Sequence, residues 1–285
     1  MKYLFIIAAL VLLGSTAHSQ DTTDSVATSL TKITLRDGTS YVGTIVKEDA
    51  DAVVILLINN TRVEIPSREI EKRAMAEGTV VRGQFMRSDP NDSRTFFAPT
   101  AKTIKQGSAY FAVYELFVPF IGFGITDDIM VAAGTPALPM AAFRFYYFGA
   151  KARFLDLKNV DAAVGFTYSA LPFDDDDLNF GLGYAVATFG TERAAATVGY
   201  GTNVTKMDER VHMLMLSGEI QTSNSVKFIT ENWISLNGGS GIASLGLRFF
   251  NDNLAGDFGL LIPTEQGGSS LIFLPWVGLA YNFGR

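Results

Sequence analysis

The chain has 285 residues, is 48% hydrophobic and only 18% charged, and carries a formal net charge of −6. Soluble domains run nearer to about 25% charged, and an acidic balance argues against nucleic acid or any other polyanion as the partner. There is no cysteine, so disulfides are excluded and stability has to come from packing and sheet closure. Phe (22), Tyr (10) and Gly (27) are abundant. A helical membrane protein would gather its apolar residues into runs of about 20, and only the N-terminus comes near that. The pattern therefore points to an all-β chain.

Lys2, the apolar stretch Leu4–Leu13 and the small residues Ala17 and Ser19 read as a signal peptide over residues 1–19, with Gln20 starting the mature chain. The apolar stretch is too short to span a bilayer. Its removal takes away Lys2 and no acid, so the mature charge is −7. No acylatable cysteine follows, and no lipid anchor is expected. Residues 20–30 are polar, poor in core formers and expected to be a disordered lead-in.

From Thr31 to Arg73 the chain reads as a small β module. Thr31–Leu35 alternates as a short strand, and Arg36-Asp37-Gly38-Thr39 centres a hairpin signal on Asp-Gly. Tyr41–Lys47 returns, Ala52–Ile58 is strongly apolar, and Thr61–Ile65 ends at Pro66. Ser67–Arg73 is expected as a single helical turn. Asp37-Gly38-Thr39, Gly43 and Ile65-Pro66 resemble the strand-turn pattern of Sm-like and SH3-like modules. Four or five short strands in this span, with that resemblance, imply a small barrel. Sm-like modules often bind RNA, but seven basic and seven acidic residues leave this segment neutral. A periplasmic protein partner docking on residues 31–73 is expected instead. Residues 74–93 read as a linker, because Ser88-Asp89-Pro90-Asn91-Asp92-Ser93 is a dense run of structure breakers.

From Arg94 to Arg285 the texture is that of an antiparallel transmembrane β-barrel, with segments of about ten residues alternating apolar and small or polar. Leu178–Ala187 sets Leu178, Phe180, Leu182, Tyr184 and Val186 against Asn179, Gly181, Gly183, Ala185 and Ala187. Val160–Ser169, Ile242–Phe249 and Val277–Phe283 repeat the pattern. The large face is expected outward, toward lipid. A soluble sandwich also alternates, but its solvated face would be rich in Lys and Glu, and here that face is mostly Gly, Ala, Ser, Thr and Asn. Strands are expected near 94–101, 109–124, 128–135, 142–154, 160–170, 178–188, 194–202, 210–221, 225–235, 241–250, 255–262 and 271–283. That makes about 12 strands, with 10 as the alternative if the Pro99-bearing first strand drops out. Even parity places both termini in the periplasm and the barrel in the cell outer membrane.

Gly278, Tyr281 and Phe283 resemble the terminal assembly signal of outer-membrane barrels, which implies recognition by the barrel assembly machinery. Phe97-Ala98-Pro99-Thr100-Ala101, Tyr110–Phe117, Gly124-Ile125-Thr126-Asp127 and Thr230-Glu231-Asn232-Trp233 resemble a porin-like family of outer-membrane barrels from diderm bacteria. That implies location and fold, and brings no activity or site.

Chemistry-bearing residues are sparse. His212 is the one histidine of the mature chain. Ser217 lies five positions on and faces the other side of a regular strand, so only a cross-strand serine such as Ser235 or Ser244 could complete a hydrolase pair within about 3 Å. The acidic run Asp174–Asp177 lacks the glycine and distant Glu of a calcium loop and reads as a solvated extracellular loop. Lys151, Arg153, Lys227, Glu231 and Arg248 are expected to face the lumen and pair there, since Arg or Lys facing lipid costs about 2–4 kcal/mol at the midplane. No catalytic residue, metal site or cofactor is assigned. The expected function is a non-enzymatic outer-membrane barrel, either a narrow pore or a structural or adhesion protein with a periplasmic adaptor module. The alternatives are a soluble periplasmic β-rich binding protein and a lipid hydrolase using His212.

Overall fold

The computed structural model describes residues 30–81, 83–136, 146–173, 176–205, 210–264 and 272–284, and for 171–173 and 176–179 the backbone alone. The expected signal peptide, the lead-in up to residue 29 and Asp174-Asp175 lie outside the described residues. Two units divide at Val80/Val81, and every described regular element but one short 3-10 turn is a strand.

The first unit is a five-stranded antiparallel sheet of β1 (Thr31–Leu35), β2 (Ser40–Glu48), β3 (Ala52–Leu57), β4 (Arg62–Pro66) and β5 (Ile70–Met75), in the order β4-β3-β2-β1-β5. Strand alternation places Ile33, Leu35, Val53, Ile55 and Ile65 in one core. Gly38 takes φ +88° at the β1–β2 turn, where Asp37 accepts the Thr39 N–H at 2.8 Å. The Asp49 carboxylate closes the next turn, and the Lys47 ammonium, together with the N–H groups of Ala52 and Asp51, holds it below the usual carboxylate range. Ser67–Glu69 is the 3-10 turn. The chain then continues as β5 rather than as more helix, because β1 offers a second open edge that Ile70–Met75 pairs with. Strands β6 (Gly78–Val81) and β7 (Gln84–Arg87) form a two-stranded sheet.

The second unit contains a closed antiparallel barrel of twelve strands: β8 (Ala109–Tyr114), β9 (Val118–Gly124), β10 (Ile129–Gly134), β11 (Tyr146–Leu157), β12 (Val160–Phe173), β13 (Asp176–Gly190), β14 (Ala194–Asn203), β15 (His212–Ser223), β16 (Val226–Ser235), β17 (Gly241–Phe250), β18 (Leu254–Thr264) and β19 (Leu274–Phe283). β19 closes on β8, with Phe283 opposite Ala109. The barrel's first and last residues thus share one end, the near end. The count of twelve matches the expectation, yet by a different partition. Residues 94–101 make no strand, only an isolated bridge between Arg94 and Pro99. The expected strand 109–124 is instead the pair β8 and β9, folded back at Glu115 and Leu116, both at positive φ. A non-glycine residue there is strained; Glu115 is held by accepting the Val277 N–H on its carboxylate at 3.0 Å.

The outward face carries a belt of exposed apolar side chains, among them Phe111, Ile121, Val164, Leu247, Phe258 and Leu279. Aromatics gather at both margins: Phe123, Phe189, Phe249 and Phe283 toward the near end, Tyr146, Phe148, Tyr168 and Tyr200 toward the far end. A contiguous apolar belt of this size is untenable in water, and the flanking aromatics match the girdles of membrane barrels.

The expected outward face holds on β12, β17 and β19 and is reversed on β13. Val186 is buried in the lumen, Tyr184 packs against the inward-facing Gly165, and Ala185 is exposed on the outside. The reason is steric. Tyr184 lies directly across from Gly165, and a Cβ on that glycine would come within 2.2 Å of the hydroxyl-bearing edge of the tyrosine ring. The same arrangement joins Tyr110 to Gly122 and Tyr147 to Gly134 on paired positions. Inward tyrosines lying over cross-strand glycines fill this lumen, so residue size alone misassigns the face.

Candidate functional site

What occupies the lumen is the chain's own segment 88–103. It enters at the near end, where Arg87 accepts the Gln221 amide on its carbonyl at 3.0 Å and pairs with Asp252 at 2.8 Å. It doubles back at Thr95–Ala98, where the Thr95 N–H donates to the Ala98 carbonyl at 3.0 Å. It leaves at the same end, where the Thr103 hydroxyl donates to the Asp127 carbonyl at 2.5 Å. The breaker run expected as linker is therefore buried: Asp89 is 4% and Asn91 2% exposed. Breakers suit it because a loop that turns inside a barrel cannot join a ladder. Its polar groups are bound by inward side chains instead.

Four of the five charged residues expected in the lumen grip this loop. Glu231, at mid-height on β16, turns one carboxylate oxygen to the tip. Oε2 accepts the Thr95 hydroxyl at 2.7 Å and the N–H groups of Phe96, Phe97 and Ala98 at 2.8, 2.9 and 2.9 Å. Oε1 accepts the indole N–H of Trp233 at 2.7 Å. Consecutive N–H groups converging on one point form a natural anion socket, and a buried carboxylate is tolerable only when satisfied in this way.

Nearer the entrance, Arg248 and Lys227 stand side by side on β17 and β16. Arg248 forms a two-pronged pair with Asp257 on the adjoining β18, at 2.6 and 3.0 Å. It also reaches Asp89 at 2.9 Å and donates to the carbonyls of Asn91, Arg94 and Thr95. Lys227 bridges Asp89 at 2.9 Å and Glu219 at 3.1 Å. All five groups are essentially inaccessible to solvent. On the opposite wall Lys151 donates to the carbonyls of Ser93 and Thr100, at 2.8 and 3.0 Å. Arg153 does not join them. It sits at the near-end rim among Asp128, Asp156 and Asp161.

Sequence reasoning missed the loop's own contributors, Asp89 and Arg94. The Arg94 guanidinium lies 4.1 Å from the Tyr110 ring centre and 5.0 Å from that of Tyr114. Phe96, 0% exposed, is driven into a cluster with Tyr110, Tyr114, Met130, Ile229 and Trp276. An available signal was the pairing of an acid-rich, lysine-free breaker run with Phe96-Phe97 directly behind it. That is a poor composition for a solvated linker.

His212 faces outward, stacked on Tyr200 with the phenol oxygen 2.5 Å from Nδ1. Ser217, Ser235 and Ser244 lie on the inward face. The hydrolase alternative therefore lacks its pair: histidine and serines stand on opposite sides of the barrel wall. Gly278 lies opposite Tyr114 on the inward face of β19, and Tyr281 and Phe283 project outward from it.

No family model matches the chain, and no curated protein does. Among solved structures it is similar to a KdgM porin in complex with disordered oligogalacturonate, at 8% identity over 62% of this chain and 98% of that one, with a TM-score of 0.46. It is also similar to a loop-deletion mutant of OmpT, an outer membrane protein of Vibrio cholerae (11% identity, 89% of this chain and 96% of that one, TM-score 0.37). A third is OmpF of Salmonella typhi in complex with daunomycin (11% identity, 89% of this chain and 95% of that one, TM-score 0.33). The barrel itself rests on its own strand pairing, and likenesses of this degree say nothing of ligand or activity.

Proposed function

We propose that the chain is a non-enzymatic outer-membrane barrel kept shut by its own segment 88–103, with the near end and both termini periplasmic. The single observation behind this reading is the lock between loop and wall, in which Glu231, Lys227, Arg248 and Lys151 all commit hydrogen bonds to the loop. Twelve strands enclose a lumen that side chains and one loop can fill, so a closed or gated barrel fits better than a standing narrow pore. The girdled apolar belt supports insertion in lipid over the soluble alternative. On this reading the sheet over residues 31–75, Sm/SH3-like in its sequence pattern, is the adaptor that docks a periplasmic protein. Gly278, Tyr281 and Phe283 serve as the assembly signal.

Planar bilayer recording tests the closure. The wild-type protein should be silent, and an Asp89→Ala/Glu231→Ala double variant should pass current. Steady conductance by the wild type would overturn the closed-barrel reading. Co-fractionation with the outer membrane, with migration that changes on boiling, tests location.

A further inference from the structure

Beyond the loop tip, the far half of the lumen holds a cavity of about 610 Å³, within the range of small-molecule sites. Phe96 and Phe97 of the loop line it, together with Phe180, Met213, Trp233 and Trp276 from the wall. Its polar groups are few. Among the described residues the Glu231 carboxylate is the one charged group in the lining, and both its oxygens are already engaged, by the loop tip and by Trp233. The Ser244 hydroxyl is likewise bound to the Glu231 backbone. The hydroxyls of Ser235, Ser240 and Thr264 stand toward the far rim.

We infer that this cavity is a binding site for a neutral, ring-bearing apolar molecule with one hydrogen-bond acceptor, taken up from the far end. Aromatic rings on loop and wall, with a methionine, favour a flat apolar body. The hydroxyls of Ser235, Ser240 and Thr264 at the rim favour an acceptor on it. A charged ligand would shed its water and, among the described residues of this lining, meet no free counter-charge, a penalty that disfavours it strongly. The inference rests on the closed-barrel reading, because the loop tip supplies one wall of the cavity.

The chain's two tryptophans are Trp233 and Trp276, and both line the cavity. Intrinsic fluorescence of the full protein in lipid nanodiscs therefore reports on the site. The probe is 2-acetylnaphthalene, neutral with one carbonyl acceptor; 2-naphthoate is its charged counterpart. The acetyl compound should quench saturably, and the naphthoate should bind at least about tenfold more weakly. Ser235→Phe and Ser240→Phe each fill the far rim and should weaken the acetyl compound at least about tenfold, while retaining heat-modifiable migration. Two variants guard against one failing to fold. Quenching that never saturates, that is unchanged in both filled variants, or that is equal for the naphthoate overturns the site. A wild type that is silent in bilayers and shows no saturable quenching loses the ligand site alone. One that conducts steadily loses the closed barrel.

Discussion

Glu231→Gln is nearly isosteric, so what it removes is the charge and one acceptor, and the structure allows the loss to be worked out. Four donors converge on Oε2 and one on Oε1. If the amide oxygen takes the place of Oε2, its bonds fall from charge-assisted to neutral, a loss of up to about 1 kcal/mol each. The amide nitrogen then faces the Trp233 N–H, and a buried donor left without an acceptor costs about 1–3 kcal/mol. The flipped amide is worse, because it sets two donors against the three backbone N–H groups. A loss of about 3 kcal/mol or more at the tip results, or roughly a hundredfold in the opening equilibrium. Hydrogen exchange read on a peptide containing Phe96, Phe97 and Ala98 measures it directly, since those are the amides that Glu231 binds. Their exchange should accelerate about a hundredfold while the β16 and β17 amides stay protected. Unchanged protection at the tip, in a variant that is otherwise folded, would refute the idea that this carboxylate holds the loop.

Arg248→Met strips the partner from Asp257 and one of two cations from Asp89, and should cost about 3–5 kcal/mol; the temperature at which heat-modifiable migration is lost should fall, and adding Asp257→Leu should recover part of it. Gly165→Ala collides with the Tyr184 ring and should cost about 1–3 kcal/mol in denaturant unfolding, with Tyr184→Ala in the same chain relieving the clash. His212→Ala removes an outward contact to Tyr200 and should change stability by less than about 1 kcal/mol, and lipid profiles should not alter.

The barrel was legible because membrane strands reveal themselves by alternation and by the turns between them. From β12 to β19 the expected strands fall close to the observed ones. The beginning was not legible, for a reason that concerns topology. Arg94–Ala101 has the length of a strand, though Pro99 cannot donate to a ladder, and 109–124 has the length of one long strand. Only ring closure separates the options, because β8 must meet β19 in register, with Ala109 against Phe283 and Tyr114 against Gly278. A strand at 94–101 would have inserted itself at that seam. Periodicity is local, and cannot report which pair of edges closes a ring. The β13 reversal has the same origin. Its two faces differ in size, but which face looks inward is decided by Gly165 on the neighbouring strand.

The buried charges divide along the same line between local and distant causes. Their inward direction follows from the cost of lipid exposure, so Lys151, Lys227, Glu231 and Arg248 could be singled out from sequence. Their partners could not, because Asp89 meets Lys227 across 138 residues of chain and no spacing rule reaches that far. Yet the arithmetic of the wall hints at an occupant. Arg248 has Asp257 beside it and Lys227 has Glu219 within reach, but Glu231 faces Ser217 and Ser244 across its two ladders, and Lys151 faces Met130 and Gly165 across its own. A wall that turns unmatched charge inward needs a polar occupant, and a segment with closely spaced backbone donors and acceptors supplies both signs at once: N–H groups for Glu231, carbonyls for Lys151. In a barrel of this size the occupant has to be narrow, free of ladder pairing and tethered. A breaker-rich loop immediately preceding the first strand meets all three conditions.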